Sequence, residues 1–299
     1  MERRFLETGK PEGLTCIHAL GIGDRESRGM NRFAHEGMVR RVIGGHWVWS
    51  PRMQQLAREN KIEAYVLPGG VIMQLMREVA AKRPGLITHV GLGTFVDPQK
   101  DGGRMNEAAQ DPLVERITID GQQYLRYLPL PVDVALLKGS TADEDGNISL
   151  EEEPANLDIY AMAAAAHNSG GKVIFQVRRK VPRGKLSARS VRIPSAIVDV
   201  VVVDPDQRQS YEIVYDPSIS GEQRDDQLNL EAPDFSLRLA IARRAKTELR
   251  EGDVINFGFG IPDQIASMLA AEGTDERYYQ TIEHGTYGGK LLTGTLFGY

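Results

Sequence analysis

The residues with the clearest capacity for chemistry lie between positions 254 and 289. An apolar run, VINF, is typical of a buried strand, and it ends on a loop that contains Gly258 and Gly260. A second strand is predicted to lead directly to Glu283, which Gly285 follows. A carboxylate at a strand end has a firm support, and adjacent glycines let another molecule approach backbone N–H groups. Glutamate can act as a covalent nucleophile where a site removes it from bulk water.

The residues alone leave a second interpretation of Glu283 open, because short motifs often match by chance. In that interpretation Glu283 is a solvated turn residue without a chemical role. Between the two predicted strands, Ile265, Met268 and Leu269 recur at helical spacing, so a helix is predicted there. The expected order is therefore strand, glycine loop, helix, strand and glutamate.

Composition limits the class of protein. With 299 residues, 41% of them hydrophobic and 26% charged, the chain is long enough for one large or two ordinary globular domains. A formal net charge of −5 gives no electrostatic reason to expect nucleic acid or an anionic membrane as a partner, although it is compatible with a local basic pocket for phosphate. No apolar run approaches the roughly 20 residues of a membrane span, and the N-terminus is too charged for a signal peptide.

The sequence contains one cysteine, Cys16, so it cannot form an intramolecular disulfide. This fits a reducing cytosol, and a cytoplasmic protein is predicted. No metal site is predicted, because the acidic run before Gly146 lacks the ligand spacing of an EF-hand. Nucleotide binding at Gly21 or Gly258 is a further alternative, although neither loop completes the G-x-G-x-x-G pattern.

The first half of the chain repeats a strand, a glycine turn and a helix, which predicts a parallel sheet covered by helices. The predicted strands, with the loops that follow them, occupy residues 14–24, 39–51, 62–71 and 87–98. A hairpin is predicted farther along the chain, with Asp120 and Gly121 at its turn.

The segment RIPSAIVDVVVVDP, residues 192–205, has five branched residues in six positions and predicts a central strand that is buried on both faces. The polar segment 204–234, with several prolines and a glycine, is the best candidate for a linker. The sequence therefore predicts one α/β domain over residues 1–227 and the beginning of a second domain over 228–299.

Two segments, DVINFGFGIP and TIEHGTYGG, resemble the paired signature of the family I CoA-transferases. That signature is a strand ending in G-x-G-x-P, a helix, and then E-x-G-x-x-G, and Glu283 falls at the position of the family's catalytic glutamate. Other segments are similar to the acetate/propionate CoA-transferase branch, namely MNRFAHEGMVRRVIGGHW, ENKIEAYVLPGGVI, HVGLGTFVDP, LLKGSTADEDGNISLE and YDPSISGE.

The resemblance implies an open α/β fold with a parallel sheet in each of two related domains. The second domain carries the catalytic glutamate, here Glu283. Members of this branch are longer single chains, and the present sequence resembles an internal part of one. It is expected to begin after the first domain's opening strand and to end soon after Glu283.

The same resemblance implies transfer of coenzyme A from a short-chain acyl-CoA to a carboxylic acid. The reaction would pass through an acyl–glutamyl anhydride and a glutamyl–CoA thioester at Glu283. Coenzyme A is then substrate and covalent intermediate, and no other cofactor is expected. Relatives commonly assemble as dimers or tetramers, so a homo-oligomer is expected. Two alternatives stay open: an acyl-CoA hydrolase, in which water replaces the acceptor acid, and a truncated fragment without activity.

Backbone contacts to the substrate are expected from glycines. The first candidates for the wall of the acyl pocket are Gly91 and Gly93, with an ordinary strand-to-loop turn as the open alternative. The turn at Gly69 and Gly70 is the second candidate for substrate or oxyanion contacts, together with Gly285, and coenzyme A contacts are expected at Gly258 and Gly260. The sequence departs from the family at Gly69, where many members have a glutamine whose side chain contributes to the oxyanion hole. It also departs at His284, where small or amide residues are more usual. Loss of one oxyanion donor typically costs about 2.7–4 kcal/mol in the barrier.

Overall fold

The structure, a computed structural model, describes residues 1–223, 230, 232–283, 285–292 and 297. The chain forms two compact units. The first unit comprises Met1–Ser149 and Asp158–Glu212, and the second comprises Leu150–Leu157 and Ile213–Tyr299. The predicted boundary between residues 227 and 228 lies outside the described residues, so it stays a prediction.

The first unit begins with a short helix, α1 (Glu2–Thr8), and a parallel sheet in the order β1 (Leu14–His18), β2 (Val39–Gly44) and β3 (Glu63–Val66). Helix α2 (Pro51–Arg58) follows β2, and helix α3 (Gly69–Ala80) follows β3. The strand, turn and helix repeat predicted from the sequence is confirmed for β2 and β3, whereas β1 is followed by a loop and a short 3-10 helix, Met30–Phe33. Apolar residues of α3 are buried at helical spacing, which explains why the segment packs as a helix: Val71, Ile72, Leu75, Met76 and Val79.

The fourth predicted strand is present, but its expected place in a parallel sheet is wrong. Only Leu86–Thr88 forms a strand, β4, and it belongs to an antiparallel sheet in the order β4, β6, β5. The rest of the predicted segment forms a series of turns, in which the buried carboxylate of Asp97 accepts a hydrogen bond from the backbone N–H of Gly93. Strands β5 (Val114–Ile119) and β6 (Gln122–Tyr127) form the predicted hairpin, with positive φ at both turn residues, Asp120 and Gly121.

The largest sheet of the first unit has five strands in the order β10, β8, β7, β9, β11. Its elements are β7 (Val134–Asp143), β8 (Ile148–Ser149), helix α4 (Ile159–Asn168), β9 (Lys172–Val181), β10 (Val191–Ile193) and β11 (Val200–Val203). Strand β11 was predicted to be central, and this is wrong, because among the described strands it pairs only with β9. Val200 and Val202 are 45% and 46% exposed.

The core of the first unit lies between the sheets and two helices. Leu75 and Met76 of α3 belong to the same buried cluster as Ala161 and Ala165 of α4. Alanine has the smallest apolar side chain, so the alanine-rich α4 can lie close to its neighbours. Helix α4 ends at Asn168, two residues before Gly170, which has a positive φ.

The second unit contains helix α5 (Leu237–Lys246), strand β12 (Val254–Phe257), helix α6 (Asp263–Ala271) and strand β13 (Tyr279–Ile282). The predicted strand, helix and strand are thus confirmed, and β12 and β13 pair in parallel. The side chain of Ser236 accepts a hydrogen bond from the backbone N–H of Leu239 and caps α5. Within the described residues, none of the helices has the length and apolar character needed to cross a membrane.

Candidate active site

Glu283 lies at the carboxyl end of the parallel strand pair. Asn256 pairs with Thr281 and Phe257 pairs with Ile282, so strands β12 and β13 end side by side. Gly258 is the first residue after β12, and Glu283 is the first residue after β13. Carboxyl ends of parallel strands are the edge where open α/β sheets bind ligands. The strand pairing therefore brings the predicted nucleophile next to the predicted glycine loop.

A tight turn fixes the backbone on either side of Glu283. The N–H of Gly285 donates to the carbonyl oxygen of Ile282 at 2.9 Å, and Gly285 has a φ of 82°, which a residue with a side chain rarely adopts. The hydroxyl of Thr281 donates to the carbonyl oxygen of Thr286 at 2.8 Å and ties the returning chain to β13. These hydrogen bonds hold the turn without using the carboxylate of Glu283.

The side chain of Glu283 is exposed. The sequence argument required a nucleophile shielded from bulk water, and the residues around Glu283 in the described structure do not supply that shield. A bound substrate or another part of the protein must exclude water if Glu283 forms a covalent intermediate. His284, the neighbouring residue that departs from the family pattern, lies outside the described residues.

The loop between β12 and α6 is held by a carboxylate that the sequence analysis did not single out. The N–H of Gly260 donates to Oδ2 of Asp263 at 3.0 Å, and Asp263 is only 5% exposed. Burial raises the pKa of this carboxyl, against the effect of its hydrogen bonds. An aspartate in the first turn of a helix, just after a glycine loop, is the sequence signal that would have found it.

The loop leaves open space beside its glycines. A Cβ added to Gly258 or Gly260 would meet no atom within 4 Å. Another molecule can therefore approach the backbone closely at both positions. Since the N–H of Gly260 is already bonded to Asp263, Gly258 is the better placed of the two to donate to a ligand. The assignment of both glycines to coenzyme A stays a prediction.

In the first unit, Gly69 and Gly70 form the start of α3, at the carboxyl end of β3. The first turn of a helix leaves its N–H groups without intrahelical acceptors, so both glycines have donors to offer. A Cβ at Gly69 would lie 2.9 Å from the carbonyl oxygen of Ala19, whereas one at Gly70 would meet nothing within 4 Å. The close approach of Ala19 gives a physical reason for glycine at position 69.

Gly91 and Gly93 lie in the turns that follow β4. The N–H of Gly93 donates to Oδ2 of Asp97 at 2.7 Å, so this donor is engaged within the protein. Asp97 is fully buried and also accepts two hydrogen bonds from Arg116, at 2.8 and 2.6 Å. The Arg116 guanidinium holds the pKa of the Asp97 carboxyl well below its usual range. Asp97 and Arg116, which the sequence analysis did not single out, fix the shape of this loop.

The structure thus brings part of the predicted site together. Within the second unit, β12 and β13 place Glu283 and Gly285 at the same edge as Gly258 and Gly260. The other predicted glycines belong to two loops of the first unit, and their contact with substrate stays a prediction. Among the residues that the structure describes, no group of three or more His, Cys, Asp or Glu side chains is arranged to hold a metal ion.

Sequence comparison identifies the class of protein. The chain matches the family described as Coenzyme A transferase over residues 7–204, and it belongs to that family. The family resemblance and the α/β fold class, both inferred from the sequence, are confirmed.

Similar proteins include CoA-transferases that are longer than this chain. The chain is 41% identical over 297 residues to the acetate CoA-transferase YdiF of Escherichia coli (strain K12), covering 99% of this chain and 56% of the relative. It is 43% identical over 288 residues to the caffeate CoA-transferase of Acetobacterium woodii, covering 95% and 55%. A crystal structure of the acyl-CoA transferase YdiF from E. coli O157:H7, a thioester complex with CoA, matches with a TM-score of 0.90 and 40% identity over 96% of this chain and 58% of that one. The chain therefore spans about half the length of these relatives.

Proposed function

We propose that this protein transfers coenzyme A between a short-chain acyl-CoA and a carboxylic acid, with Glu283 as the nucleophile. The observation that carries the proposal is the position of Glu283. It stands exposed on a tight turn at the carboxyl ends of β12 and β13, beside the glycine loop of a chain that belongs to the CoA-transferase family. Coenzyme A is the substrate and forms the covalent intermediate, and the reaction needs no further cofactor.

The reaction begins when a carboxylate oxygen of Glu283 attacks the carbonyl carbon of the acyl-CoA. The carbon–sulfur bond breaks, which gives an acyl–glutamyl anhydride and the thiolate of coenzyme A. The thiolate then attacks the glutamyl carbonyl carbon, the anhydride carbon–oxygen bond breaks, and the first acid leaves as its carboxylate. A glutamyl–CoA thioester remains. The acceptor acid runs the two steps in reverse, so one thioester is exchanged for another and Glu283 is regenerated.

Each attack passes through a tetrahedral oxyanion, which needs hydrogen-bond donors in place. In the second unit the N–H of Gly258 is the best candidate, because the strand register brings it beside Glu283 and the N–H groups of Gly260 and Gly285 already have acceptors. In the first unit, the helix-start donors of Gly69 and Gly70 supply the type of group required. The backbone is a suitable source here, because its N–H groups are held by the fold and do not reorganise during the reaction.

The acids are proposed by class. One similar protein is named for acetate and another for caffeate, so relatives of this chain take acids of different size. Acetate is the first acceptor to assay, followed by propionate and butyrate. A homo-oligomeric assembly and a cytoplasmic location are predicted as well. Light scattering after size-exclusion chromatography measures the oligomeric state, and fractionation of the source cells determines the location.

The decisive experiment traps the covalent intermediate. The chain is incubated with acetyl-CoA and then treated with hydroxylamine or borohydride, and the modified peptide is mapped by mass spectrometry. We expect modification at Glu283, none in Glu283→Gln, and wild-type modification in the control Glu251→Gln, which removes an exposed carboxylate elsewhere in the second unit. If Glu283→Gln is modified as strongly as the wild type, the proposed nucleophile is wrong.

Transfer is separated from hydrolysis by the acceptor. With acetyl-CoA and propionate, transfer produces propionyl-CoA at the expense of acetyl-CoA. Release of free coenzyme A at a rate that does not depend on propionate would identify a hydrolase instead. A chain that forms no adduct and no product would be an inactive part of a CoA-transferase.

A further inference from the structure

In the first unit, two histidine side chains hold the loop at residues 19–21, which follows β1. Nδ1 of His18, the last residue of β1, donates to the carbonyl oxygen of Leu20 at 2.8 Å. Nε2 of His46, which comes shortly after β2, accepts from the N–H of Gly21 at 3.0 Å. That carbonyl group and that N–H belong to the same peptide group. The two imidazoles therefore hold it from both ends and oppose its rotation.

Both hydrogen bonds require a proton on Nδ1 of the imidazole and a neutral ring at His46, because a carbonyl oxygen only accepts and an N–H only donates. His18 is 5% exposed, and its buried Nε2 has no hydrogen-bond partner among the described residues. Burial lowers the pKa of His18, and the neighbouring His46 lowers it further, so its ring is neutral as well. Glycines make room for both rings. A Cβ on Gly44 would lie 2.6 Å from Cε1 of His18, and one on Gly21 would overlap Cε1 of His46.

The held loop packs on the start of α3. The carbonyl oxygen of Ala19 would lie 2.9 Å from a Cβ on Gly69, the first residue of that helix, and would overlap one on Gly45. The Ala19 side chain belongs to the same buried cluster as Val71 and Ile72 in the first turns of α3. A change in the backbone of the loop would therefore press on Gly69 and shift the beginning of the helix, since close-packed interiors transmit such displacements.

We propose that His18 and His46 are positioning residues for the transfer reaction. Together they lock the peptide group between residues 20 and 21, and the locked loop holds the start of α3 so that the N–H groups of Gly69 and Gly70 keep one direction. The inference rests on the proposed function, in which these two N–H groups are candidate donors to the oxyanion. Such donors stabilise a transition state only if they are in place before charge develops. Neither histidine is assigned a contact with substrate.

The test replaces each histidine by a ring without hydrogen-bonding atoms. The rate of transfer from acetyl-CoA to propionate is measured for His18→Phe, His46→Phe and the control His167→Phe, which changes an exposed histidine in the last turn of α4. We expect kcat to fall about 10- to 100-fold in the first two variants with KM unchanged, because displaced donors are missed only in the transition state. The control should equal the wild type. His18→Asn keeps a donor where Nδ1 was and His46→Gln keeps an acceptor where Nε2 was, so both should restore most of the rate.

A second measurement needs no substitution and decides the matter even if the phenylalanine variants fail to fold. The ¹⁵N chemical shifts of the wild-type imidazoles distinguish the two neutral tautomers from the charged ring. We expect His18 and His46 both to be neutral at about pH 7 with the proton on Nδ1. A proton on Nε2 of either ring would overturn the proposal. So would a variant that folds and has a lower thermal midpoint but the kcat of the wild type, since that result describes a purely structural contact.

The trapping experiment at Glu283 is run on the same preparations, so the two proposals can fail separately. If Glu283 is modified equally fast in the wild type and in both phenylalanine variants, the histidines do not position the reaction and the proposed function stands. If the wild type is never modified, the proposed function is wrong, and the amide signals of Gly69 and Gly70 decide about the loop. Signals that shift in His46→Phe but not in His167→Phe support the coupling to α3, and signals that stay in place overturn it.

Discussion

Replacing Asp97 with alanine is expected to destabilise the first unit strongly. Asp97 is fully buried and accepts four hydrogen bonds, two from Arg116 and one each from the backbone N–H groups of Gly93 and Gln99. The change removes all four and leaves the guanidinium without its carboxylate. Breaking a buried ion pair from one side costs about 3–5 kcal/mol. Since the Arg116 side chain is 28% exposed and can regain water, we take the lower end, about 3 kcal/mol.

For a domain of this size, about 3 kcal/mol corresponds to a fall of about 6–12 °C in the midpoint of thermal unfolding. The midpoint is followed by circular dichroism for Asp97→Ala and for the control Asp101→Ala, which removes an exposed carboxylate from the same loop. Asp97→Asn keeps an acceptor for the N–H of Gly93 and should fall between the wild type and Asp97→Ala. Equal midpoints for Asp97→Ala and Asp101→Ala would refute the view that Asp97 holds the loop.

The same contact sets a pH dependence. Because Arg116 lowers the pKa of Asp97 in the folded state, the unfolded state binds the proton first as pH falls. The stabilisation is fully present above the ordinary aspartate pKa of about 4, and it is lost as pH falls toward the lowered pKa of the folded state. The difference in midpoint between the wild type and Asp97→Ala should therefore narrow from pH 6 to pH 3. A constant difference over that range would contradict the assignment.

Three further predictions concern other parts of the chain. Gly45→Ala should lower the thermal midpoint, because its Cβ would lie 1.9 Å from a backbone carbonyl oxygen. Gly70→Ala adds a Cβ that meets no atom within 4 Å and should raise stability by about 0.4–1 kcal/mol. Equal thermal midpoints for these two variants would contradict the packing. Burial raises the pKa of the Cys16 thiol to about 11, so at pH 8 an aromatic disulfide reagent should react much faster in urea than with the folded chain, and equal rates would show an accessible thiolate. Asp263→Asn keeps an acceptor for the N–H of Gly260 and removes a buried charge whose pKa is raised. The free energy of unfolding of the wild type should therefore fall relative to that of Asp263→Asn as pH rises through that pKa. If the wild type instead lost stability relative to this variant as pH fell, the prediction would be wrong.

The elements that the sequence predicted well are those whose local pattern and tertiary setting agree. Helix α3 has an apolar stripe at helical spacing, and the hairpin at Asp120 and Gly121 has residues that tolerate positive φ. Strands β12 and β13 end where glycine and glutamate follow an apolar run. In each case a few neighbouring residues determine the conformation, so a single sequence contains the information.

The errors arose where contacts with residues distant in sequence determine the local structure. Val200–Val203 has the composition of a central strand, yet strand order depends on which neighbour a strand finds, and here it pairs with β9 alone among the described strands. The segment after β4 is apolar enough for a strand, but Asp97 binds its backbone N–H groups and turns the chain. That contact depends on Arg116, which lies on β5 and is remote in sequence. Periodicity cannot reveal such a partner.

The arrangement around Glu283 separates two tasks that a covalent mechanism requires. Position is set by the backbone, since the hydrogen bonds of Thr281 and Gly285 define the turn and none of them uses the carboxylate. Protection from water does not come from the residues that the structure describes around Glu283, because its side chain is exposed among them. It follows that Glu283→Gln should leave the fold intact, while Thr281→Val should displace the turn and reduce adduct formation with the nucleophile still present. It follows too that a bound substrate can supply the shielding, which ties exclusion of water to occupancy of the site.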